Sequence, residues 1–130
     1  MKRLIIILAL FSAVVGVAVF EMVYLNRFYG EFISRLETVH VQFMIDEENI
    51  DHSGAIEAVE KAREHWEKNR RTVLMFSNNN VVRLINERMT SLTEQTRINH
   101  PEDAFVTLMV TINYLEELRR ENGVSIEGLV

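Results

Sequence analysis

Cysteine is absent from this chain of 130 residues. Its absence excludes disulfides, a thiol nucleophile, a cysteine-based zinc site and lipid attachment at an N-terminal cysteine. Proline occurs once, at Pro101, and of the five glycines Gly54 and Gly123 fall near the ends of apolar-periodic segments. No segment alternates apolar and polar with period two, and β-branched residues are scattered, so strands are not expected. There is no glycine-rich phosphate cradle, no Gly-x-Ser-x-Gly elbow and no His-Glu-x-x-His pair. Positive charge is scarce as well. Setting aside Lys2 and Arg3 leaves 12 of the 14 basic residues against 19 acidic ones, a balance of -7. A chain this acidic, with no basic stripe along it, repels phosphate backbones, so no nucleic-acid partner is expected.

What the chain does have is a long apolar start. After Lys2 and Arg3, Leu4 to Phe20 is a run of 17 residues without a charge. As a helix it covers about 25 Å, and extension to Leu25 brings it to about 33 Å, against a hydrocarbon core of about 30 Å. Glu21 falls near the far end, where a carboxylate reaches headgroups at little cost. Tyr24 and Tyr29 follow as interfacial aromatics. The reading is a membrane anchor over residues 1–25, with Leu4, Phe20 and Tyr24 as its markers and membrane lipid as its partner. Lys2 and Arg3 then stay in the cytoplasm and the rest of the chain lies outside it, in a single-pass topology. The competing reading is a cleaved export signal ending at Gly16-Val17-Ala18, with release of a secreted domain after Ala18. Continuation of the apolar run through Val19, Phe20, Met22 and Val23 favours the anchor.

The remainder reads as four amphipathic helices. Leu25, Phe28, Phe32, Leu36, Val39 and Phe43 form the first stripe, which ends at the polar loop Asp46-Glu47-Glu48-Asn49. A second helix, capped by Asp51 or Ser53, carries Ala55, Val59, Ala62, Trp66, Asn69, Val73 and Phe76. Glu57/Lys61, Glu64/Lys68 and Glu67/Arg71 are spaced for ion pairs with the acid first. Ser77-Asn78-Asn79-Asn80 makes a corner with Asn80 as N-cap. The third helix carries Val82, Ile85, Met89, Leu92 and Thr96 and ends near Asn99-His100. Pro101 opens a fourth, with Glu102 and Asp103 in its first turn and a stripe of Phe105, Leu108, Ile112 and Leu115. It is expected to stop near Asn122-Gly123. The architecture expected is all-α: a transmembrane helix continuing, as one rod, into an antiparallel up-down four-helix bundle over 26–123, with 124–130 as a flexible tail.

Candidates for chemistry are sparse. Of the histidines, His40 and His65 lie beside or on apolar stripes and His52 and His100 at corners; a surface or half-buried imidazole is the expectation for each. The acidic stretch Asp46 to Asp51 lacks the spaced ligands and internal glycine of a calcium loop, so a solvated loop is expected. Trp66 is expected in the core rather than in a ligand cage. Asn69 on the same stripe either fixes register in the seam or lines a small pocket. Met89 and Met109 are expected to fill core. No catalytic residue, cofactor or metal follows from this pattern.

The N-terminal anchor, the Trp-containing second helix, and the corner running into Phe76-Ser-Asn-Asn-Asn-Val-Val-Arg-Leu-Ile together resemble domain-of-unknown-function family 4363, small bacterial proteins of spore-forming Gram-positive lineages. The family's corner often carries a histidine near an acidic neighbour, where this chain has Asn79 and Asn80. The resemblance implies a small, N-terminally anchored helical protein with no established activity, so it assigns no functional residue.

Three functions are weighed. The first is a non-enzymatic interaction module on the outer face of the membrane, binding an envelope protein or itself; its cytoplasmic end of three residues would leave signalling to a partner. The second is a ligand-sensing bundle working with a separate transducer. The third, an enzyme, has nothing beyond scattered carboxylates and histidines.

Overall fold

The computed structural model describes residues 1–129, with the backbone alone for 124–129. It contains four helices: α1 (Lys2–Ile45), α2 (Ser53–Phe76), α3 (Asn79–Arg97) and α4 (Pro101–Leu129). The apolar N-terminal run and the first bundle helix are one uninterrupted rod of 44 residues, about 66 Å long at 1.5 Å per residue. No proline or capping residue intervenes between its two halves, so nothing breaks the hydrogen-bond ladder.

α1 packs on α2 and α4, and α3 closes the square against the same two helices. The directions alternate. On α2, His65 meets Phe28 and His52 meets Gln42; on α4, Asn122 meets Met22 and Phe105 meets Phe43. The bundle is therefore antiparallel and up-down, as the short connections require. We call the end where α1 enters from its apolar half the base, and the end formed by residues 46–52 and 98–100 the far end.

The stripes build the core. Phe32, Leu36, Val39 and Phe43 of α1 are fully buried, as are Ala55, Ala62, Trp66 and Val73 of α2 and Leu108 and Leu115 of α4. Buried Thr96 and Thr111 satisfy their hydroxyls by donating to the carbonyls of Leu92 and Thr107, one turn back. Met109 departs from expectation. It faces out at 41% exposure while Met89 is buried, because Ala104, Leu108, Ile112 and Leu115 already fill that side of α4.

The caps also shift. His52, not Asp51 or Ser53, caps α2: its Nδ1 accepts from the amide of Ala55 at 3.2 Å. Its Nε2 is then the protonated nitrogen and donates to the carbonyl of Gln42 at 2.9 Å, tying the cap to α1. Asn78, not Asn80, caps α3 by accepting from Val81. α3 ends at Arg97 with Asn99 in the left-handed region, φ 55°. Asn99 accepts from the amide of buried Ile50 at 2.9 Å and donates to the carbonyl of Glu48. One residue thus stitches the two far-end connections together. Pro101 opens α4 as expected, but the helix passes through Asn122 and Gly123 and continues to Leu129. The expected stop there does not occur; Val130 lies outside the described residues.

Candidate functional site

The polar groups singled out on α2 do not converge. Trp66 and Asn69 are three residues apart and turn to different neighbours. Trp66 is fully buried against Phe28 and Phe32, and its indole N–H donates to Asn86 Oδ1 of α3 at 2.6 Å. That is a core tryptophan with its one donor satisfied. Asn69 faces α1 instead. It accepts from the Tyr24 hydroxyl at 2.6 Å and donates to the carbonyl of His65 at 2.8 Å. Tyr24, taken from the sequence as an interfacial marker, is therefore also a tie between α1 and α2 in the turn that follows the apolar run.

His65 is buried, at 7% exposure, rather than on the surface or half-buried. Its ring stacks on Phe28 with centroids 5.2 Å apart, stands edge-on to Phe32, and has Nε2 3.4 Å from the carbonyl of Phe28. Burial pushes its pKa below the ordinary histidine value, although the Phe28 carbonyl pulls the other way. The imidazole is a neutral packing group. The other histidines are dispersed: His52 caps α2, His40 stands edge-on to Phe105, and exposed His100 sits 3.8 Å from Asp103. Burial also raises the hydroxyl pKa of Tyr29 and of Tyr114. Among the described residues no three His, Asp or Glu side chains gather as a metal would need.

Between α1 and α2 runs an open groove of about 320 Å³ lined by charged side chains, with Glu31, Arg35, Lys61, Glu64 and Lys68 around His65 and Asn69. A neighbouring hollow of about 240 Å³ lies between Tyr24, Arg27, Phe28, Glu31 and Asn69. Both alternate in charge sign. Among the described residues, every buried side-chain nitrogen and oxygen already has a partner within the chain. Polar atoms held in wait for a ligand, the usual mark of a preformed site, are not found there.

The apolar surface is more informative. Leu4 through Phe20 stands almost wholly in the open, and none of the most apolar window of α1 is buried. At the far end a second exposed apolar set flanks the seam of α1 and α4. Phe105 packs on His40 and Phe43. The adjoining Val41, Met44, Val106 and Met109 are each at least 41% exposed. Sequence periodicity leaves Val41 and Val106 off the stripes, on the outer surface of α1 and α4.

Neither a protein-family model, nor a curated protein, nor a solved structure matches the chain.

Proposed function

We propose that this chain is a membrane-anchored, non-enzymatic interaction module of the bacterial envelope, held by its N-terminal helix with the bundle outside the cytoplasm. One observation carries the reading. A single helix is exposed and apolar on all sides for its first half and buried along one stripe for its second. The first half is long enough to cross a bilayer, and water is a poor solvent for it. Unbroken helix through Ala18 and Val19 supports retention of the anchor over cleavage. The resemblance to domain-of-unknown-function family 4363 belongs to this proposal and agrees with it.

The exposed set at the α1–α4 seam is where a protein partner, or a second copy, docks. Val41, Met44, Val106 and Met109 offer apolar contact on a rigid, two-helix face. The test has two arms. A reporter fused behind Val130 is expected outside the cytoplasm; a cytosolic reporter overturns the topology. Capture of the tagged protein from detergent-solubilised native membranes is expected to recover a stoichiometric envelope protein or a second copy. Val41→Glu with Val106→Glu is expected to abolish that recovery. Recovery unchanged by both substitutions removes the seam from the proposal. The ligand-sensing alternative rests on the α1–α2 groove, and a Glu31→Ala variant that changes no interaction leaves it without support.

A further inference from the structure

Charge is distributed along the bundle, not merely in excess. At the base, all four helices contribute exposed cations: Arg27 from α1, Lys68, Arg70 and Arg71 from α2, Arg83 from α3, and Arg119 and Arg120 from α4. Their level is fixed by contacts. Asn69 is bonded to Tyr24, and Phe76 packs edge-on to Phe20 with centroids 6.3 Å apart, so Arg70 and Arg71 lie between those two levels. Arg119 reaches Asn26, and Asn122 donates to the carbonyl of Met22. The acids at this level are Glu21, Glu67 and Glu121, and Glu31 and Glu117 stand one turn nearer the far end, paired with Arg27 and Arg120; the cations still outnumber these acids. The far end reverses the balance: Asp46, Glu47, Glu48 and Asp51 in the connection, with Glu102 and Asp103 at the start of α4, stand near Arg97.

The ion pairs of lysine and arginine follow the same direction. Arg27–Glu31, Lys61–Glu57, Arg63–Glu60, Arg70–Glu67 and Arg120–Glu117 each place the cation nearer the base. On α2 and α4, which run towards the base, this is the acid-first order that helices prefer. On α1, which runs away from it, the order is Arg27 then Glu31, against that preference. Helix propensity does not explain α1; direction relative to the apolar half does.

A second, uncharged feature sits at the lower edge of this collar, on the side of the apolar run. Met75 is 77% exposed, and Leu74 and Val23 are also exposed, where α2 ends against the last turn of the apolar run. Apolar tips ringed by arginines are the pattern of a surface resting in a bilayer interface.

We infer that the base of the bundle is a lipid-binding foot, in which the arginine collar takes the phosphates of anionic phospholipid headgroups and Met75 and Leu74 dip into the interface beneath them. Guanidinium pairs with phosphate through two parallel hydrogen bonds. Arg27 stands seven residues past Phe20, about 10 Å along the axis, close to one screening length from the surface. The acidic far end is repelled by the same lipid, which holds the bundle upright. This inference rests on the anchored reading, and its test separates the two.

The full chain is reconstituted into vesicles of phosphatidylcholine with phosphatidylglycerol. Flotation with the vesicles tests the anchor; a chain that fails to float sinks both ideas. For the floating protein, association of spin-labelled phosphatidylglycerol is compared with that of spin-labelled phosphatidylcholine. A preference of about fivefold is expected, falling towards unity in high salt. It is also expected to fall towards unity in Lys68→Gln/Arg71→Gln/Arg83→Gln/Arg120→Gln, and to survive Lys2→Gln/Arg3→Gln. A preference that persists in the fourfold variant, or vanishes with Lys2 and Arg3 alone, overturns the foot. Because the chain has no cysteine, a nitroxide on Met75→Cys gives an independent reading. It is expected to be relaxed more by oxygen than by a water-soluble nickel chelate, with the reverse on Ile98→Cys. Equal, water-like behaviour at both positions overturns the foot while leaving the anchor standing.

Discussion

The two halves of α1 share one backbone and present different surfaces. From Leu4 to Phe20 the side chains are apolar all round and exposed. From Leu25 to Phe43 they are apolar along one stripe, and that stripe is buried while Arg27, Glu31 and Arg35 stay outside. The hydrogen-bond ladder does not register the change. Helix formation is thus separable from the choice of medium, which is set by how apolar side chains are distributed around the axis. The same comparison explains why the first half contributes nothing to the bundle core beyond the Phe20–Phe76 contact.

The comparison can be broken from either side. The largest effect is expected in the bundle half. Trp66→Ala removes a fully buried ring and leaves Asn86 without its donor, at a cost of about 3–5 kcal/mol. Urea unfolding in detergent should show the loss, while membrane fractionation stays unchanged. Next is the lipid half. Leu10→Arg places a charge near mid-span at a cost of about 2.5–3.5 kcal/mol. The protein should move out of the membrane fraction with the bundle's unfolding midpoint intact. Asn99→Ala, at the far end, removes three hydrogen bonds from a left-handed position and should cost about 1–2 kcal/mol, with Asn99→Gly recovering the backbone part.

The smallest effect is one of pH. His65 has a folded pKa below its unfolded value of about 6.5. Its contribution is therefore complete above the unfolded value and is lost as pH falls towards and through the folded one. Stability should decline below about pH 6.5, with a slope of at most about 1.4 kcal/mol per pH unit. His65→Gln should flatten that decline. An equally steep decline in the variant would assign it to other groups.

Several features were legible because they depend on local spacing. The α1 stripe from Leu25 to Phe43 is buried residue for residue, and Pro101 opens α4 with two acids behind it. The caps slipped by one or two positions because Asp51, His52 and Ser53, and likewise Ser77 to Asn80, all offer an acceptor. The contact that chooses His52 is the Gln42 carbonyl, ten residues away. Gly123 reads as a stop, yet its φ is not positive, so α4 passes through it. His65 looked ordinary because nothing local shows that Phe28 and Phe32 wrap it. The basal collar is least legible of all. Its members are drawn from four helices, and an overall negative charge conceals a local positive one.

The grip of α2 on α1 at Phe20, Tyr24 and Phe28 has a mechanical consequence. There is no swivel where the rod leaves the apolar run. On the anchored reading proposed above, a sideways load on the corner around Asn99 would be carried down as torque and emerge as a tilt of the apolar segment, with the turn around Phe20 as the fulcrum of a lever.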